Sequence, residues 1–509
     1  MKLRALAGLV GLALATSVLP AWAADTSTID KPFVIAMNHQ PDNIDVTKAL
    51  NGVISYPLLE NINEKLVDLD KNGNPTPGLA TWDVAPDGLS ITFHVRPGVK
   101  FSSGDPFTAD DIVFSHERFK TNATYKSADP FLDHVEKLDN MTVRFVFRQP
   151  EATYFTRRAL MIVSKSYFDR VGEAEFSAHP VGTGAYKLVS YSPGQNAVLE
   201  AFDGYWGGAP EIKHVRMDFI SDDATRVAKL RAGEADMILN VPYPQVDQLK
   251  AGGFKLAGLE TTPTTSVGFI YANPKLPWHD VRVRQAIAEA IDCNAIVDGA
   301  FKGIPKHYAA FAPGQIGYDP DLKTYPYDPA HAKQLMAEAG YPNGFKMPLY
   351  YWIGEDYGLR ETAELVATYV KAIGIDADVR GVEVPQMVAM RQKDHQHPEE
   401  AEDSVTIGPT PFANYYEPTS ALAFVWASFS PFSTYRNADL DKYTAQAMGS
   451  IDPQKRAEAV KQAARIIHND YVTIPIWNNV ALYGMKPNVD FTPTPHALIR
   501  MQVKDVTVH

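Results

Sequence analysis

The sequence predicts a mixed α/β protein made of two or three structural units. Three observations carry that expectation. The chain has 509 residues, 45% hydrophobic, 21% charged and 11% aromatic, ordinary globular proportions over more length than one core usually organises. Capped segments with 3.6-residue apolar spacing mark helices. Between them lie runs that alternate apolar and polar residues, as half-buried strands do, and the runs expected to pair are far apart in the chain.

Taken in order, "SITFHVR" (Ser90 to Arg96), "TVRFVFR" (Thr142 to Arg148) and "AYKLVSY" (Ala185 to Tyr191) read as strands. Turn chemistry sits beside them at Pro86-Asp87-Gly88 and Ser192-Pro193-Gly194-Gln195. Ser221 opens a short helix that Gly233 stops. Asp280 caps a helix from Val281 to about Phe301, with Ala286, Ile287, Ala290 and Ile291 on one stripe. Asp328 and Pro329 supply a cap and an N1 proline, and Gly340 closes that helix after Leu335, Met336 and Ala339. Glu361 to Ile373 is a further helix ended by Gly374, and Asp452-Pro453 opens the last, through Ile467. The segment Glu383 to Asp403 contains "RQKDHQHPEEAED"; its charge and its proline read as a solvated loop. The chain contains no internal repeat and no low-complexity segment.

Composition narrows the function. The first residues, MKLRALAGLVGLALATSVLPAWA, place Lys2 and Arg4 before an apolar run from Ala5 to Leu19 and an A-x-A site at Ala21-Trp22-Ala23, the pattern of a cleaved signal peptide over residues 1–23. A mature protein starting near Ala24 carries 46 basic against 60 acidic residues, a formal charge of −14. That balance argues against nucleic acid, whose phosphates call for clustered Lys and Arg. No cysteine follows the cleavage site, so no lipid anchor is expected there, and a free periplasmic protein is. The single cysteine, Cys293, excludes an intrachain disulfide and reads as a small buried residue. Beyond the leader, no apolar run approaches the roughly 18 residues of a membrane-spanning helix.

Searches for catalysis fail in specific ways. His116-Glu117 starts like a zinc-protease helix, but Lys120 stands where the second histidine belongs. No G-x-S-x-G elbow occurs. Gly182-Thr183-Gly184 lacks both the third glycine of a dinucleotide loop and the G-K-[ST] of a P-loop. His395, His397, Glu399 and Glu400 read as surface polar residues, because a metal site needs ligands that converge in space. No nucleophile, base and oxyanion donor come together, and no cofactor or metal is expected.

The stretch "PVGTGAYKLVSYSPGQNAVLEAFDGYWGGAPEIKHVRMDFISDDATRVAKLRAGEADMI", beginning at Pro180, resembles the signature of bacterial dipeptide-, oligopeptide- and nickel-type solute-binding proteins, family 5, which serve ATP-driven (ABC) importers. The blocks Pro75 to Ser115, Pro277 to Val297, "RNADLDKY", Pro453 to His468 and "YVTIPIW" resemble the family's other segments, in its order. The resemblance implies a type II periplasmic-binding-protein fold of the large (cluster C) variety, two lobes with a hinge plus an extra inserted domain. Lobe I is expected from 24–55, 183–269 and 480–509, the inserted domain from 56–182 and lobe II from 270–479. A receptor of this kind closes on a solute through contacts present only in the closed form and delivers it to a membrane permease. A monomer is expected.

The solute is less legible. Peptide-binding members use an aspartate in a segment resembling W-x-x-D-Y-P-D-P; the matching region here, Ile407 to Ser428, has Thr410 and Pro411 at that place, with Glu417 later. That departure weakens a peptide reading. No histidine lies between Ile407 and Ser430, which disfavours nickel. Arg157 or Arg158 is a candidate for a bidentate anion contact, with a domain-bridging role as the competing explanation. Because loops after the strands of both lobes face the ligand in this fold, His39, Asn51, Thr265, Trp352, Thr410, Asn414, Tyr415 and Trp426 are further candidates. The tryptophans suit stacking on a sugar ring or an apolar side chain; packing is the alternative role for each. The leading expectation is a receptor for a polar organic solute, peptide-like or an opine- or sugar-type conjugate. A periplasmic hydrolase and a chaperone or sensory receptor on the same scaffold stay open.

Overall fold

A computed structural model describes residues 31–50, 52–70, 74–121, 131–151, 154–155, 160–271, 273–353, 358–397, 405–409, 418–494 and 501–509. The expected signal peptide and the candidates Asn51, Arg157, Arg158, Thr410, Asn414, Tyr415 and Glu417 lie outside them.

One sheet of ten strands organises the molecule. Its order is Asp376–Glu383, Lys346–Ile353, Val405–Pro409, Lys255–Phe269, Thr473–Met485, Met237–Leu239, Phe33–Met37, His214–Phe219, Asn196–Ala201 and Tyr186–Ser192. Phe33–Met37 pairs in parallel with its neighbours on both sides, and so does Lys346–Ile353 in the other half. Parallel strands covered on both faces need continuous apolar sequence rather than alternation. The run FVIAM is accordingly buried at every position.

The two halves share the long antiparallel pair Lys255–Phe269 and Thr473–Met485. Lys255 to Glu260 pairs with 485 to 480, and Thr264 to Gly268 with 478 to 473. Between them the register shifts, at Glu260/Thr264 and again at Thr265/Ser266. Such bulges bend a strand without ending its pairing.

A second sheet, Ala80–Val84, Ser90–Val95, Thr142–Phe147 and Leu132–Asp139, is antiparallel and packs on the helix Ala109–Phe119. It encloses a core of its own around Phe93, Phe101, Ile112 and Phe145, with the Phe93 and Phe145 rings edge-on at 5.1 Å. The remaining apolar mass divides between Ile35, Leu199, Met217 and Tyr483 in one half of the large sheet and Trp278, Ile287, Val366 and Trp477 in the other.

Two polar clusters join the second sheet's unit to the rest. Arg118 reaches Asp45 at 2.8 Å and Glu173 at 2.7 Å, with its guanidinium over the rings of Phe168 and Phe176. Glu64 accepts hydrogen bonds from Tyr205 Oη at 2.8 Å and Trp206 Nε1 at 2.9 Å. Burial raises its carboxyl above the ordinary range despite those donors. Arg96 lies on the far face of Trp206, 4.2 Å from the ring centre. The segment "GYWGGAP" is therefore a tether as well as a loop.

The glycines of Gly182-Thr183-Gly184 serve close approach. Gly184 N donates to Ile62 O at 2.8 Å and Tyr186 N to Asn61 O at 3.0 Å. A Cβ on Gly182 would stand 1.9 Å from Ile62 O, and one on Gly184 2.4 Å from Asn61 O. Neither residue has a positive φ, so contact with the 61–63 backbone, rather than an unusual turn, is what requires glycine.

Two expected elements differ. The helix expected over 281–301 is two helices, Val281–Ala290 and Cys293–Phe301, because Ile291 is extended and the Asp292 side chain accepts from Ala295 N, capping the second. The expected loop after Glu383 is a helix, Val384–Gln396, with proline at its N-terminal turn. Met387 and Asp394 on it are buried, so the run is not wholly solvated although its sequence looks uniformly polar.

Gly182→Ala is expected to destabilise the protein by about 3 kcal/mol through overpacking against backbone, read as a lower urea midpoint; a shift within error would show that the 61–63 segment yields freely. His116, buried against Phe145, has its pKa lowered by burial to about 4 from 6.5. A depressed histidine favours folding above its unfolded value and loses that advantage as pH falls toward 4. His116→Gln should therefore flatten the fall of the urea midpoint across that window, and parallel curves for the two proteins would refute the assignment.

Candidate functional site

The site forms where three neighbouring strands of the large sheet present small residues on one face. Gly268 stands opposite Thr406, and Ser266 opposite Gly408. Alternation places all four on the same face, with Trp352 on the adjoining strand. A Cβ on Gly408 would come 2.8 Å from Trp352 Nε1, and one on Gly268 would come 2.9 Å from Thr406 Oγ1 and 3.7 Å from Arg391 Nη2. The two glycines thus make a floor over which an indole and a guanidinium can lie.

The space above that floor is a cavity that opens to solvent. Trp352 and Trp426 wall it with Phe432, Thr434 and Tyr435, and Arg391 enters from the helix Val384–Gln396. Every described lining residue falls between 266 and 473. Trp426 closes a single π-helical turn, Leu422–Trp426, a local irregularity often found at binding sites. Its carbonyl accepts from Ser433 Oγ at 3.0 Å, which fixes the turn.

Two polar atoms inside this wall lack a partner. Trp352 Nε1 and Arg391 Nε are both enclosed and make no hydrogen bond. Arg391 Nη2 donates to Thr406 Oγ1 at 3.4 Å, a long contact, and burial holds its guanidinium below its ordinary pKa.

Trp426 also borders a second cavity, lined by Thr264, Ser266, Gln315, Tyr325 and His468 among others. There Tyr325 stacks between His468, at 4.5 Å, and Tyr471, at 4.7 Å. A third cavity adjoins it at Ala309, Ala310 and Phe311 and includes His307. Burial lowers His307 to about 4, so its ring is neutral at pH 7.

Of the sequence candidates, Trp352 and Trp426 meet in the first cavity. Thr265 is fully buried and lies outside all three cavities, while Thr264 and Ser266 on either side of it line them. His39 is half-buried after Phe33–Met37 and lines none of the three. His395, read from sequence as a surface residue, has its Nδ1 2.8 Å from Ser433 O and 3.1 Å from Arg436 Nη2. Arg391 and Thr406 were missed. The spacing of Met387, Arg391 and Asp394 was the available signal, and the charged residues around it masked it.

The architecture is a large mixed sheet with an appended antiparallel sheet and a cavity over one face of the large one. Residues 74–421 match the model for bacterial extracellular solute-binding proteins, family 5 (middle region), and the chain belongs to that family. It is similar to heme-binding protein A of Haemophilus influenzae, 29% identical with 91% of this chain and 90% of that one covered. It is 30% identical to the dipeptide-binding protein of Escherichia coli K12, over 81% of this chain and 82% of that one. Among solved structures, DppA of Helicobacter pylori in complex with the peptide STSA superposes with a TM-score of 0.79 at 24% identity, covering 94% of this chain and 98% of that one. The fold is the type II periplasmic-binding fold of the cluster C kind, as the resemblance implied. The chain is a solute-binding protein of an ABC importer and not an enzyme; such proteins are periplasmic, take small solutes and work with a membrane permease.

Gly408→Ala should push the Trp352 indole into the cavity. The expected result is a severalfold loss of small molecules retained through purification, measured by native mass spectrometry, in a protein that still folds. Unchanged retention would mean that the cargo lies elsewhere.

Proposed function

We propose that the protein captures a polar organic solute, peptide-like or an opine- or sugar-type conjugate, in the Trp352 cavity, and closes over it before delivery to its permease. The observation that carries this reading is the enclosed indole Nε1 of Trp352, in a wall it shares with Trp426. A buried donor left unpaired costs free energy that a ligand acceptor restores. The two rings offer flat apolar surface to the body of the same solute.

Lobe I is assigned to 24–55, 183–269 and 480–509, the inserted domain to 56–182 and lobe II to 270–479. Flexure is placed at the register shifts of the long strands, where pairing on both sides stays intact. We further assign a signal peptide over 1–23, removed on export, no lipid anchor, a monomeric receptor and no nucleic-acid partner. The acidic excess and the leader sequence support these assignments.

A panel of peptides, opines and oligosaccharides tests the proposal by thermal shift and small-angle scattering. At a hundred times its dissociation constant the right solute should add about 2.7 kcal/mol of stability and reduce the radius of gyration. Trp352→Ala should weaken it on the order of tenfold. Stabilisation without compaction would remove hinge closure, and tight binding unaffected by Trp352→Ala would remove this cavity.

A further inference from the structure

The four-stranded unit is fastened to the half of the large sheet built around Phe33–Met37, yet one of its turns touches the other half. Asp87 and Gly88 turn the chain between Ala80–Val84 and Ser90–Val95, with Gly88 N donating to Ala85 O at 2.8 Å and Leu89 N to Asp87 Oδ1 at 2.9 Å. Gly88 has a φ of +70°, which glycine adopts without strain. Glu151 N donates to Gly88 O at 3.3 Å and brings Pro150 alongside. A Cβ on Gly88 would stand 3.1 Å from Pro150 Cβ and 3.0 Å from Ile451 Cγ2. The missing side chain leaves a notch, and a methyl of Ile451 sits at it.

Ile451 belongs to the half built around Lys346–Ile353. It precedes Asp452, whose side chain caps the helix Pro453–Asn469 by accepting from Gln454 N at 2.9 Å. That helix packs with Leu440 and Val472 beside the strand end that pairs with Gly268. An apolar residue just before a cap often folds back on the fourth helical residue, which here is Arg456. Ile451 is instead turned outward, 46% exposed, with Gly88 ahead of it. Contacts at the register shifts also join the halves. There the Tyr243 ring meets Phe301 edge-on at 5.9 Å, and its hydroxyl donates to Val480 O at 3.0 Å. A bend at the shifts displaces groups beside the pivot little, but it carries Gly88 with one half and Ile451 with the other.

We propose that Ile451 and the notch between Gly88 and Pro150 form a latch, through which the four-stranded unit takes part in holding the receptor closed. The proposal rests on the assignment of flexure to the register shifts of the long strands. The attachments at Arg118 and Glu64 tie Gly88 to its own half, so opening at the shifts parts it from Ile451. An interaction made in one state alone moves the balance toward that state. Opening also returns the Ile451 methyl to water, which the hydrophobic effect disfavours. Gly88, Pro150 and Ile451 line none of the three cavities, so the latch acts on closure without choosing the solute.

The test compares wild type, Ile451→Ser, Ile451→Val and the double variant Gly88→Cys/Ile451→Cys by small-angle scattering, each stripped of small molecules in urea and refolded. Cys293, the chain's one native cysteine, is buried and does not compete for oxidation. A Cβ at 88 lies within bonding reach of a sulfur at the γ position of 451. Oxidised glutathione should therefore crosslink the pair, and the crosslinked protein should have a smaller radius of gyration than the same protein reduced. Ile451→Ser should be more expanded than wild type at an unchanged urea midpoint, and Ile451→Val should match wild type in both. The proposal fails if the folded double variant does not crosslink. It fails equally if Ile451→Ser keeps the wild-type radius, or lowers the urea midpoint without expansion, which would make Ile451 a packing residue only. A crosslink that compacts the protein while Ile451→Ser stays unchanged would keep the hinge and discard the latch. One radius shared by every form, crosslinked or reduced, would discard the hinge as well.

Discussion

The structure depends on the pairing of Lys255–Phe269 with Thr473–Met485. These two strands, of 15 and 13 residues, are the longest in the large sheet and lie at its centre. Each contributes one end to the half built around Phe33–Met37 and the other to the half built around Lys346–Ile353. The register shifts fall between two well-paired segments. Sliding one half past the other would break the hydrogen bonds of both segments together, whereas bending at the bulge breaks few. The backbone at that point can bend while the pairing on both sides stays intact.

The cavity beside that pair is furnished for binding. It offers two aromatic walls, hydroxyls and a guanidinium. The groups nearby that resemble catalytic ones are held in unreactive states. Burial pushes the Cys293 thiol up to about 12 and His307 down to about 4. A thiol that stays protonated is a poor nucleophile. A family membership that implies capture and release agrees with side chains of this kind.

Much of the local structure was legible in the sequence, and the reasons are physical. Asp328 with Pro329, and Asp452 with Pro453, cap helices as read, because a cap is a contact within three residues. The alternation in Ser90–Val95 and Thr142–Phe147 reports burial on one face directly. Local patterns do not encode which strands are neighbours, so the ten-strand order was accessible only through resemblance to a family. The break at Ile291 was hidden because Asp292 sits in an otherwise continuous apolar stripe. Trp352 and Trp426, named from sequence, both line the first cavity. Thr265 was named and its neighbour Ser266 lines the cavity, because sequence does not fix which parity of a bulged strand faces inward. Arg391 was passed over because a charged run reads as solvated until its neighbours are known.

The glycine floor has a consequence for how such receptors diversify. Gly268 and Gly408 are committed to leaving room, so the sheet beneath the solute has little freedom to vary in size. The walls come from other segments, the helix Val384–Gln396 and the turn ending at Trp426. In the proposed site, cargo preference is carried by parts other than the long central pair of strands. A lineage with this arrangement can change what it recognises while keeping how it moves, since the two properties reside in different stretches of chain.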